Sequence, residues 1–99
     1  MTGYTLTKAA DADLAEVARF TVERWGYRQA ETYLLAFDDA FQWLAASPDT
    51  GRPFMEREGY FRYETGSHVV FYRKQASGIL IVRVLHQRME PRRYLPGSQ

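Results

Sequence analysis

The sequence predicts an α+β domain, a helical hairpin packed on a small antiparallel sheet, in the order β-α-α-β-β-β. Three observations carry this reading. Apolar residues recur at helical spacing through two consecutive segments that meet at one glycine. The period drops from 3.6 to 2 after Pro53, and short turn sequences separate three aromatic and β-branched runs beyond it.

Taken in order, Tyr4-Thr5-Leu6-Thr7 alternates and is β-prone, which predicts a short first strand, and Thr7 is suited to cap the helix that follows. Leu14, Val17, Ala18, Thr21 and Trp25 then form one apolar stripe, which Gly26 ends. Ala30, Tyr33, Leu34, Phe37, Phe41 and Leu44 repeat at i, i+3, i+4, i+7, i+11 and i+14, and Pro48 and Gly51 close that second helix. Helices joined at a single glycine fold back as an antiparallel hairpin. Downstream, Tyr60–Thr65, His68–Lys74 and Ile79–Gln87 read as strands joined through Gly66-Ser67 and Ala76-Ser77-Gly78, an antiparallel meander. Ile79-Leu80-Ile81-Val82 is apolar on both faces and belongs in the middle of the sheet. Glu90–Leu95 makes at most one turn of helix, and the last few residues are expected to fray.

A chain of 99 residues supports one domain, here 1–99, with 45% hydrophobic residues for a single modest core. It has no cysteine, which fits a reducing cytosol, and neither a signal-peptide core nor a membrane-length apolar run is expected. The net charge is only +1, but residues 1–50 hold four basic and eight acidic groups, whereas residues 51–99 hold nine and four. That asymmetry points to an acidic partner for the second half, or to a mixed solvated surface. No metal site is expected, since His68 and His86 lie on different strands without a cysteine or a carboxylate pair nearby, and no glycine-rich loop suggests a nucleotide cofactor.

Three stretches resemble the ParE toxins of the RelE/ParE superfamily. They are Tyr4–Thr7 with Ala10, Asp13-Leu14, Trp25-Gly26, Gln29-Ala30 and Tyr33; Pro48, Gly51-Arg52 and Gly66–Arg73; and Ile81–Met89. The resemblance implies the fold drawn above. It also implies a toxin that poisons DNA gyrase by trapping it with cleaved DNA, does no bond chemistry, and is silenced by a ParD-like antitoxin.

Two other readings remain open at this level. A RelE-like nuclease, cutting mRNA on the ribosome, needs a base for the 2′-OH and cations for the phosphate. His86 or Glu58 as base, Arg62, Arg83 or Arg88 on phosphate, and Tyr94 near the C-terminus are candidates, with His86, Arg88 and Tyr94 the primary set. Strand parity sends Arg83 and His86 to opposite faces, however, and two lysines make a poor surface for ribosomal RNA. Direct sequence-specific nucleic-acid binding is therefore not expected. The third reading is an inactive antitoxin-binding module. Trp43, Tyr27, Tyr60, Tyr63 and Phe54 fall off the main stripes or in loops, more rings than a core of this size easily hides, and a contiguous exposed patch of them would mark an interface. Trp43, Tyr63, Arg73 and Arg83 are the antitoxin-binding candidates, and Arg88, Arg92 and Arg93 are those for gyrase.

Overall fold

The structure, a computed structural model, describes residues 3–96; the expected loose end of the chain falls outside them. Strand β1 (Gly3–Leu6) leads into helix α1 (Lys8–Trp25) through Thr7. The Thr7 hydroxyl accepts the Ala10 N–H at 3.0 Å and donates to the Val82 carbonyl at 2.7 Å, so the cap also ties the helix start to the sheet. Gly26 alone separates α1 from α2 (Tyr27–Ala46), and its φ of +92° gives the reversal that the sequence predicts there.

The sheet has five strands in the order β1-β5-β4-β3-β2, where β2 is Arg52–Pro53, β3 Phe61–Thr65, β4 His68–Gln75 and β5 Gly78–His86. The meander appears as expected. The first strand, by contrast, runs parallel to β5, pairing Gly3 with Gly78 through Leu6 with Ile81, so the sheet is mixed. Its direction follows from the intervening helical hairpin, which supplies the long connection that a parallel neighbour requires. The two-residue β2 had no signal in the sequence, and its proline is tolerated because the strand is at an edge.

Helices cover one face only. Phe37, Phe41, Leu44, Val70, Tyr72, Ile79, Ile81 and Val84 form the core beneath them, so the second helix presents the predicted stripe. A second cluster fills the opposite face from Phe54, Tyr60, Val69, Phe71, Val82, Leu85 and Leu95. Phe54 and Tyr60 are therefore not part of an exposed patch: each is 7% exposed, because the segment before β3 folds over the sheet face that the helices leave open. Trp25 departs the other way. It continues the α1 stripe in phase but is 69% exposed.

Between β4 and β5, Tyr72 faces Ile81 and Phe71 faces Arg83, so Val82 is an extra residue and the ladder carries a bulge. Val82 and Leu85 consequently join the second core while Ile81 and Val84 join the first. At the other end of β5, Gly78 has φ +130°, and a Cβ there would run into the Gly3 carbonyl. Gly78→Ala is expected to lower stability by about 2–4 kcal/mol in urea unfolding, through strain and clash combined. Gly3→Ala, where a Cβ meets nothing within 4 Å, should change it by under about 1 kcal/mol.

Candidate functional site: an apolar groove with a histidine floor

Beyond the end of β1, strand β5 loses its parallel neighbour. The edge is taken over by one carboxylate from α1. Asp13 accepts the Val84 N–H at 2.9 Å and two guanidinium donors of Arg83, Nε at 2.8 Å and a terminal nitrogen at 2.7 Å. These side chains are only 13% and 17% exposed, and the carboxylate holds the Arg83 guanidinium more firmly protonated than usual. Arg83 also donates to the Tyr94 carbonyl at 2.9 Å and lies over that ring at 5.4 Å.

Pinned in this way, α1 forms one wall of a cleft of about 560 Å³. Val17, Phe20, Thr21 and Trp25 line that wall, Gln29 and Tyr33 the facing helix, and Gly66, Ser67, His68, Val84, His86 and Met89 the floor and far end. Phe20, at 53% exposed, and Trp25 leave large apolar surfaces to water. Thr21 is buried, but its hydroxyl is satisfied by the Val17 carbonyl at 2.7 Å. The charged liners are Asp13 and Glu16; among the described residues no lysine or arginine lines the groove.

The floor is polar at one place. Tyr33 Oη and His68 Nδ1 share a hydrogen bond of 2.8 Å, and the ring of His68 meets that of His86 at 5.4 Å, nearly edge to face. Gly66 makes room for the tyrosine, since a Cβ at that turn would come within 3.1 Å of its hydroxyl. His86 Nδ1 accepts the Arg88 N–H at 3.1 Å, which leaves the proton of the neutral ring on Nε2. Burial first, and His86 second, push the His68 pKa below the ordinary imidazole value.

The residues expected to act from sequence are scattered around this feature. His86 is in the groove. Arg88 lies in the turn after β5 with its side chain exposed and its N–H on His86 Nδ1, while Tyr94 sits against Arg83; neither of these two lines the groove with His86. Glu58 is exposed in the segment over the second face, and Arg62 pairs with Glu64 at 2.9 Å. Of the antitoxin candidates, Trp43 is 58% exposed, Tyr63 is half-buried against the first core, and neither lines the groove. Arg73 is exposed over the Tyr60 ring at 5.2 Å, whereas Arg83 is consumed by Asp13, so the two do not make a shared basic surface. Arg92 reaches Glu56 at 3.5 Å and Glu90 at 3.9 Å, and Arg93 is exposed. Sequence reasoning missed Asp13, Phe20 and Met89 as site residues. Phe20 falls one position before Thr21 of the buried stripe, and only the groove explains a large ring left outside it. Among the described residues no group of three metal-binding side chains occurs, and no helix is long and apolar enough to cross a membrane.

Strand order and hairpin together define an α+β domain of the kind seen in solved toxin–antitoxin complexes. A chain of the chromosomal ParDE system from P. aeruginosa superposes with a TM-score of 0.74 at 23% identity, covering 87% of this chain and 96% of that one. The RelBE2 complex from Mycobacterium tuberculosis gives 0.61 at 23%, over 86% and 96%. At that identity both likenesses concern the fold. Sequence is more specific: the family model described as "ParE toxin of type II toxin-antitoxin system, parDE" matches residues 4–91. Toxin ParE1 of Mycobacterium tuberculosis is 46% identical over 94 residues, 93% of this chain and 96% of that protein. The chain belongs to the ParE toxin family of type II toxin–antitoxin systems.

Replacing Asp13 by alanine should lower stability by about 2 kcal/mol, because three donors lose one charged acceptor at a partly shielded site. Glu16→Ala, which breaks only an exposed pair with Arg19, should cost under about 0.5 kcal/mol. Chemical unfolding of both variants measures the difference; equal effects would contradict the role given to Asp13.

Proposed function

We propose that this chain is the toxin of a ParDE pair. In this reading it inhibits DNA gyrase by trapping the cleaved-DNA complex, is silenced by a ParD-type antitoxin, and catalyses no reaction itself. Action in the cytoplasm follows from that target. The observation that carries the binding character is the groove, which is apolar, open, edged by carboxylates and without a cation. Such a cleft suits the apolar face of a partner helix. It suits a phosphodiester poorly, since the transition state of its cleavage needs positive charge close by. The dispersal of His86, Arg88 and Tyr94 supports the same side. The gyrase target rests on the ParE resemblance.

An amphipathic antitoxin helix would seat its apolar stripe along Val17, Phe20 and Trp25, with its tail passing toward exposed Arg73. Trp43 and Tyr63 then lie outside the main contact. Arg88 and Arg93, which have no acidic partner within 4.0 Å among the described residues, and Arg92, whose pairs are exposed, are the groups proposed to meet gyrase. Deleting the segment after Met89 would be a poor test, because Leu95 is 3% exposed in the second core. Charge reversal leaves that anchor in place.

Purified protein, gyrase and plasmid, quenched with detergent and protease, should yield toxin-dependent linear DNA that added antitoxin suppresses. Arg88→Glu with Arg93→Glu should weaken cleavage while sparing antitoxin affinity. Phe20→Glu should do the reverse, reducing antitoxin affinity about 10- to 100-fold, as expected for a central apolar anchor. Silence toward gyrase together with codon-dependent mRNA cutting in a translation extract would replace this reading by a ribosome-dependent nuclease.

A further inference from the structure

The histidine floor is an unusual inclusion in a groove whose remaining surface is chiefly apolar. We propose that the Tyr33–His68–His86 cluster makes the groove a proton-gated docking surface, which the apolar face of an antitoxin helix seals only while both imidazoles are neutral. This rests on the antitoxin reading given above and adds to it a condition on binding.

Both rings line the cleft, so an apolar helix seated there takes water from both. A neutral imidazole tolerates that loss, whereas an imidazolium loses far more hydration. Two imidazolium rings with centroids 5.4 Å apart would also repel each other across a gap from which the screening water has been expelled.

Neighbouring groups do not relieve the penalty. From α1 the cluster is faced by Asp13 and Glu16. Asp13 is already bound to Arg83 and to the Val84 N–H, and Glu16 is bound to Arg19. The field of Asp13 favours a proton on His68, but less strongly than burial and His86 oppose it. From α2 comes Tyr33, whose hydroxyl can donate to or accept from Nδ1 of His68 and so does not fix its charge. The turn before β4 contributes Gly66 and Ser67, neither of which is charged, and from the far end comes Met89. His86 Nδ1 accepts the Arg88 N–H.

The sign follows by linkage. A partner that excludes charged imidazole binds the form with fewer protons, so binding releases protons and weakens as pH falls through the range where the free groove takes them up, which for His68 lies below the ordinary imidazole value. Each released proton adds up to about tenfold in Kd per pH unit. A loss of affinity of about tenfold is expected between pH 7.5 and pH 5.5 for partial release by the pair.

Titration calorimetry of the full chain with its ParD-type antitoxin at pH 7.5, 6.5 and 5.5 tests this. The comparison is the double variant His68→Asn with His86→Asn, whose side-chain amides can donate or accept in place of the two Nδ1 atoms without titrating. Wild-type Kd should rise about tenfold on acidification, while the variant, whatever its own Kd at pH 7.5, should stay within about twofold of that value across the range. A wild-type Kd flat in pH would overturn the proposal, whatever the variant does. An equal rise in the variant would overturn it too, by assigning the protons to other groups. No complex at pH 7.5 would instead overturn the antitoxin reading beneath it. A complex that persists undiminished in Phe20→Glu would remove the groove, and with it the gate.

Discussion

Strand β5 must be satisfied on every side, and the rest of the molecule is arranged around that requirement. Both of its faces are buried, β4 holds one edge throughout, and the other edge changes hands midway. From Gly78 to Ile81 the neighbour is β1; Thr7 then takes the Ile81 and Val82 carbonyls, and Asp13 takes the Val84 N–H. A strand N–H left bare in this half-buried setting would cost about as much as a lost hydrogen bond. A helix carboxylate therefore does the work of a missing strand. Because the same carboxylate also holds Arg83, the height and tilt of α1 over the sheet are fixed at the place where the groove opens.

The groove opens along the second half of α1. The stripe that buries Ala10 and packs Leu14 and Val17 against the core leaves Phe20 and Trp25 exposed there, across a cleft from His68, Val84 and His86. Gly26 turns the chain back at once, leaving no loop to cover the opening. Meanwhile the segment before β3 and the turn that ends in Leu95 lie on the opposite face, where Phe54, Tyr60 and Leu95 close the second core.

Much of this was legible in the residues. Helical periodicity placed both helices and their shared glycine, alternation placed β3, β4 and β5, and two-sided apolarity placed β5 between neighbours. What could not be read depended on contacts between distant segments. The parallel pairing of β1 is set by the hairpin between it and β5, not by any property of Tyr4–Thr7. The burial of Phe54 and Tyr60 depends on which sheet face lacks helices, and a loop aromatic looks the same in either case. Arg83 offers the sharper lesson. As a cation on a basic half it reads as a partner contact, yet a single aspartate 70 residues earlier consumes it. Charge counts along the chain cannot register such a pairing. The histidines were visible as two isolated residues, and only the β4–β5 register, His68 opposite His86, makes them a pair.

In the proposed reading the groove is the seat of regulation, with the sheet and the far end of α2 secondary. The chain has two tryptophans that separate these surfaces, since Trp25 lines the groove and Trp43, though exposed, does not. The most direct measurement is acrylamide quenching in Trp43→Phe and Trp25→Phe, each keeping one reporter, with and without a tryptophan-free ParD-type antitoxin. Strong shielding and a blue shift of Trp25, with Trp43 nearly unchanged, is the predicted result. Shielding of Trp43 while Trp25 stays open to quencher would contradict the account and move the antitoxin to the other end of the helical hairpin.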